Sequence, residues 1–160
     1  MDSKFVKPFI DATVKVLETM AFTVPTVGET CLWEQNHAVA DVVGIVGLTS
    51  DDEVVRGALF VGFAAPSIIQ IVSNMFGEEY ETMNDEVREA VGEIANMISG
   101  QARQALSAMD IKLQGSLPTI ISGKEIDIEG PVKKPLIMVK FSVEKGPFEL
   151  GLCIDGLSEE

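Results

Sequence analysis

A glutamate and an asparagine, Glu93 and Asn96, stand three residues apart in the run Gly92-Glu93-Ile94-Ala95-Asn96-Met97-Ile98-Ser99-Gly100. On an α-helix, residues three apart are surface neighbours, so this carboxylate and this carboxamide project side by side. A carboxylate pairs with a cation. A carboxamide both accepts from and donates to water without itself titrating. Such pairs are also common on ordinary solvated faces, so the two residues alone do not name a reaction. At about 100° per residue, Glu89, Gly100 and Ser107 share their side of the helix, and Val87, Val91, Ile94, Ile98, Ala105 and Met109 form an apolar stripe elsewhere. Gly92 and Gly100 each cost about 1 kcal/mol against alanine inside a helix. They therefore point to close approach by another body, either a second helix of the chain or a partner.

Other chemistries find little support. There is no GxxxxGK[ST], no GxGxxG after a strand and no GxSxG elbow. His37 is the single histidine; it cannot build a multi-histidine metal site, and Gln35-Asn36-His37 reads as a turn. Cys31 and Cys153 are far apart with no CxxC pair, which excludes a local zinc or redox motif and suits two free thiols in a reducing compartment. Asp51-Asp52-Glu53 lacks the glycine and spacing of a calcium loop and reads as a solvated turn. Trp33, Tyr80 and the methionines 75, 83, 97 and 109 are most simply packing residues.

The elements that must position the pair follow from hydrophobic period and punctuation. Apolar residues at helical spacing over 4–21 predict a first helix, ended before Pro25. Pro66 opens a short helix over 67–76, closed by Gly77. The strongest helical signal is 84–109, with Asn84 as N-cap and Asp85 and Glu86 at the positive end of the dipole. Strands are expected over 39–49 and 54–63 as a hairpin, then over 111–121, 136–143 and 148–154, with a polar loop at 122–135. Helices and about five strands in one core predict an α+β fold, with an antiparallel-dominated sheet and helices packed on it.

The chain has 160 residues, enough for one domain with a real core, and it reads as a single domain over 1–160. Its apolar fraction of 46% excludes a disordered chain. Its formal charge of −13 argues against binding nucleic acid or an anionic membrane through bulk charge. No secretory signal and no apolar run of about 18 residues is visible, so the chain is expected to be soluble and cytoplasmic, with no membrane partner.

With Glu93, Asn96 and the flanking glycines in place, the run 92–100 resembles the signature helix of the CheC/CheX/FliY family of chemotaxis phosphatases, closest to the CheX branch. That family's pattern is an Asp or Ser four residues before the Glu, then ExxN, then a Pro about 22 residues after the Asn. Pro118 falls at that place, and the order of elements agrees over nearly the whole chain. CheC-type members carry two such helices; here the first helix has Asp11, Lys15 and Glu18 but no ExxN, as in CheX-like members. Glu89 departs from the pattern, standing where the family often has Asp or Ser.

The resemblance implies hydrolysis of the aspartyl phosphate of a CheY-like receiver domain. It implies that Asn96 positions the attacking water and that Glu93 docks the receiver by pairing with its Lys. Glu89, Gly92 and Gly100 would be partner-binding. No cofactor is implied on this chain, and Mg²⁺ would belong to the receiver. It also implies a homodimer, for which the last strands, 136–154, offer a sheet edge. The competing readings are a non-catalytic module that docks a receiver or another signalling protein, and a structural protein with no receiver partner.

Overall fold

The computed structural model describes residues 3–33, 40–123 and 136–156. The turn expected around His37 and most of the loop expected over 122–135 lie outside them. Three helices, α1 (Ser3–Met20), α2 (Ala65–Phe76) and α3 (Asp85–Ser107), combine with seven strands: β1 (Thr26–Trp33), β2 (Val42–Thr49), β3 (Arg56–Phe63), β4 (Gln114–Gly115), β5 (Thr119–Ser122), β6 (Leu136–Val143) and β7 (Gly146–Asp155). The fold is α+β with an antiparallel sheet, as expected.

The long helix forms where its signals placed it. Asn84 Oδ1 accepts from the Val87 N–H at 2.9 Å, satisfying one of the first turn's orphan donors. Tyr80 donates its hydroxyl to Glu86 at 2.7 Å, which ties the preceding connection to this first turn. That bond also raises the phenol above its ordinary pKa, because ionisation would forfeit it beside a carboxylate. At the far end Asp110 adopts a left-handed conformation (φ 62°), and the Ile111 N–H reaches the Leu106 carbonyl at 2.9 Å. The short helix α2 ends on Gly77, also left-handed (φ 68°), as the sequence implied.

The sheet departs from expectation in three ways. The main strand order is β1-β6-β7-β3-β2-β4, with β5 also paired to β2. First, β1 was not anticipated: apart from Cys31, its residues from Thr26 to Leu32 are exposed, so it carries no apolar alternation. Second, the strand expected over 111–121 is two short pieces, parted at Ser116-Leu117-Pro118. Both pieces pair with β2, at Leu48↔Gly115 and at Ile45↔Thr119. Third, the last strands offer no edge. β6 lies between β1 and β7, and β7 between β6 and β3. Among the described residues the edge strand on that side is β1.

The main core fills the space between the helices and one sheet face, with Phe9, Leu17, Val46, Leu59, Phe63, Ile68, Ile94, Ile98, Leu106 and Phe148 almost fully buried. A smaller buried cluster on Ala40, Val43, Ala58, Phe60 and Cys153 forms separately. Neither cysteine is in a disulfide; Cys153 is buried and Cys31 half-buried. On α3 the buried row is Val87, Val91, Ile94, Ala95, Ile98, Ala102 and Leu106. Ala105 and Met109, expected on the stripe, are exposed because the row advances in steps of four toward its C-terminal end. Met75, Met83 and Met97 do pack against the core.

Three glycines set how α3 is seated. A Cβ on Gly44 of β2 would stand 3.0 Å from the Ala95 Cβ, 3.2 Å from Val91 Cγ1 and 3.3 Å from the Val91 carbonyl oxygen, so the helix backbone lies almost on the strand. A Cβ on Gly92 would meet Ile120 Cδ1 at 2.9 Å and Pro118 Cγ at 3.6 Å. The body that approaches Gly92 is therefore this chain's own β5 side. Gly100 differs: its Cβ would meet only an Arg103 guanidinium nitrogen, at 4.0 Å.

These environments give opposite outcomes for one methyl group. Gly44→Ala overpacks a site walled partly by backbone and is expected to destabilise the protein by about 1–3 kcal/mol. Gly100→Ala meets open space and is expected to stabilise it by about 0.5–1 kcal/mol through helix propensity. Urea unfolding midpoints of the two variants against wild type check both signs.

Candidate functional site

The seat on Gly44 buries one side of α3 and leaves the other side bare. Glu89, Glu93 and Asn96 are all exposed, and Gly100 is partly so. Among the described residues neither Glu93 nor Asn96 makes a side-chain hydrogen bond or an ion pair. Their Cβ atoms stand about 5–6 Å apart by helix geometry. A carboxylate and a carboxamide thus share a solvent-facing surface with their polar atoms uncommitted. Gly92 does not join them: it is buried beneath Ile120.

The site is flanked on one side by the segment that joins β4 to β5. Gly115 lies against Ser99 and Arg103, its Cβ position 3.1 Å from Ser99 Oγ and 3.0 Å from Arg103 Nε. Pro118 and Ile120 lie against Gly92. The chain between them passes alongside the intervening helical turn, which carries Asn96. Around the helix, Asn96 falls roughly 40° from Gly92 and Glu93 roughly 100° from it. Asn96 is therefore the inner member of the pair, nearer the flanking segment, and Glu93 the outer one.

Backbone bonds hold that segment. The Ser116 N–H donates to the Gly47 carbonyl at 2.9 Å, and the Gly47 N–H donates to Ser116 Oγ at 2.8 Å. Arg103 Nε donates to the Oγ of fully buried Ser99 at 3.0 Å. The sequence reading did not single out Arg103, although a residue seven after Asn96 falls on the same helix side. It also did not single out Leu117, whose nearness to α3 depends on β4 and β5 pairing with β2.

A groove of about 480 Å³, lined in part by Asp51, Asp52, Asp110 and Lys112, includes neither Glu93 nor Asn96. In its rim the Asp52 carboxyl is lowered by hydrogen bonds from Ser50 and from the Val54 N–H. Among the described residues no group of three or more His, Cys, Asp or Glu side chains is arranged to hold a metal ion. No helix among them is long and apolar enough to cross a membrane. An exposed helix face with two uncommitted polar side chains suits a macromolecular surface better than an enclosed small ligand.

Comparison with known proteins agrees with this geometry. A family model described as chemotaxis phosphatase CheX matches residues 42–142, which include β2, α3 and the flanking segment. The chain is 26% identical over 157 residues to the CheY-P phosphatase CheX of Thermotoga maritima, covering 96% of this chain and 97% of that protein. The structure is similar to that of a CheC-like superfamily protein from a Shewanella species, with TM-score 0.91, 31% identity and coverage of 98% and 100% of the two chains. The same fold occurs in CheX of Borrelia burgdorferi, solved in complex with CheY, BeF3 and Mg, with TM-score 0.79, 24% identity and coverage of 94% and 97%. The chain belongs to the chemotaxis phosphatase CheX family.

Proposed function

We propose that this protein hydrolyses the aspartyl phosphate of a CheY-like receiver domain, with Asn96 positioning the attacking water and Glu93 docking the receiver. The observation that carries the proposal is the pair itself: two exposed, uncommitted side chains, side by side on α3 of a CheX-family chain. Its CheX relative is named as a CheY-P phosphatase, and the Borrelia CheX is found with CheY, which supports a receiver as the partner.

The chemistry needs little machinery. An acyl phosphate is already activated, so a hundredfold acceleration requires only about 2.7 kcal/mol of barrier lowering. Holding one water in line with the phosphorus supplies an effect of that size. The Asn96 amide oxygen accepts a hydrogen bond from the water and leaves a water lone pair directed at phosphorus. The new bond forms from water oxygen to phosphorus, the bond to the receiver's carboxyl oxygen breaks, the aspartate leaves as carboxylate, and both water protons leave on the released dihydrogen phosphate. No covalent intermediate on this chain is required. Glu93, the outer residue, pairs with the receiver's Lys and fixes register. Mg²⁺ sits on the receiver, and the reaction takes place in the cytoplasm, where receivers are phosphorylated. Gly100 gives the receiver close access to the helix backbone, while Glu89 borders the docking face with a longer side chain than the family's Asp or Ser.

We further propose that the protein works as a homodimer. Among the described residues β1 pairs only with β6, so its outer edge is open, and Val27 and Leu32 on it are exposed. Light scattering at micromolar concentration should return twice the 17.3 kDa chain mass; a monomer mass would remove the dimer.

Phosphate release from an acyl-phosphorylated receiver tests the chemistry. Asn96→Ala should lower kcat by about a hundredfold, or about 2.7 kcal/mol, with binding retained. Glu93→Ala should chiefly weaken binding. Wild-type protein that binds the receiver and does not speed phosphate loss would instead mark a non-catalytic docking module.

A further inference from the structure

Leu117 is 88% exposed, the highest value for any large apolar side chain among the described residues. Single exposed leucines are ordinary; the setting of this one is not. Its neighbours are fixed. Ser116 is bonded in both directions to Gly47, and Pro118 restricts the backbone and packs toward Gly92. The leucine is thus held out on a rigid rim, alongside the turn of α3 that carries Asn96. Partly exposed Ile120 continues the rim over Gly92.

At the other end of the same face lies Arg103. Its Nε is pinned to buried Ser99, and its plane lies against Gly115, with 3.1 Å from Cζ to that glycine's Cβ position. The other arginine of the helix, Arg88, is paired with Asp85 at 2.9 Å. Arg103 has no carboxylate partner among the described residues. It is a preorganised guanidinium with its terminal nitrogens uncommitted, on a chain of net charge −13. Between Asn96 and Arg103 stands Gly100, where among the described residues only the Arg103 guanidinium comes within 4.0 Å of the Cβ position.

We propose that Leu117 and Arg103 form a second contact zone for the receiver, flanking the Glu93/Asn96 pair: Leu117 enters an apolar spot on the receiver beside its phosphorylated residue, and Arg103 meets a receiver carboxylate. This rests on the receiver reading above. The occupant is a receiver and not a second copy of this chain, because a copy seated here would cover Asn96. The rim is continuous with Asn96, and the open glycine lies between Asn96 and the guanidinium, so one partner surface spans all three. Leu117 would add affinity by burying apolar surface in the contact and keeping water out of it. Arg103 would steer encounter and fix orientation.

The test uses a CheY-type receiver, phosphorylated with acetyl phosphate for turnover and held with beryllofluoride and Mg²⁺ for binding. Leu117→Ser should raise KM and the dissociation constant by about tenfold with kcat within about twofold of wild type, and Leu117→Met should restore both. Arg103→Gln should raise KM about three- to tenfold and flatten its dependence on salt. Circular dichroism and the unfolding midpoint of Leu117→Ser should match wild type, since the side chain packs against nothing. If wild type hydrolyses the receiver phosphate and both variants keep wild-type KM, the second contact zone is refuted and the phosphatase reading stands. If wild type binds without hydrolysing, loss of affinity in the variants still supports the zone and unchanged affinity refutes it. If wild type neither binds nor hydrolyses, both proposals fall together.

Discussion

The contact of α3 with β2 at Gly44 is the constraint on which the rest depends. With Val91 and Ala95 only 3.0–3.3 Å from where a strand Cβ would stand, the helix cannot roll without opening the core. That fixes which side of α3 faces water. Ile120 and Pro118 close over Gly92 from the flank and stop rotation in the other sense. Glu89, Glu93 and Asn96 lie on the exposed face that remains. Packing of this kind does not vary smoothly, because interiors are close-packed and a misplaced methylene is felt at once. The orientation of two unbonded polar side chains is therefore set by apolar contacts on the far side of the helix.

Local signals were sufficient for the helices. The cap at Asn84, the acidic first turn and the apolar stripe located α3, and with it the Glu93/Asn96 face, before any tertiary contact was known. The stripe misled only at its end. Ala105 continues a seven-residue step from Ile98, but the buried row goes through Ala102 and Leu106. Gly92 was legible as a position needing space; that its own chain uses the space was not, because Ile120 arrives through strand pairing far away in sequence.

The strands were less legible for the same reason. β1 runs Thr-Val-Gly-Glu-Thr-Cys-Leu-Trp, a mixed sequence suited to an edge that buries little on either side. Period-two patterning cannot find such a strand; its partner β6 does. The apolar run at 111–121 read as one strand, yet the turn at Ser116-Leu117-Pro118 divides it. The sheet order, with β7 beside both β6 and β3, is a non-local result that hydrophobic period does not encode. That is why the last strands looked like a free edge and are interior.

A bare face fits the proposed reaction better than a cleft would. Enclosed sites earn their catalytic power by desolvating and gripping a small substrate. A receiver's acyl phosphate comes already activated and already seated beside the receiver's own metal, so the visiting surface has to add one oriented water and hold register. In the proposed reaction Asn96 would do the first without itself titrating, which frees the site from needing a histidine or a perturbed acid. Register is harder, since two side chains about 5–6 Å apart leave the partner free to swivel about their common axis. Under the proposed docking, further contacts beside the pair would remove that freedom. Arg103 stands beyond Gly100 along the helix and Leu117 stands to the flank beside the Asn96 turn, so contacts at both would lie off the axis joining the pair and resist rotation about it.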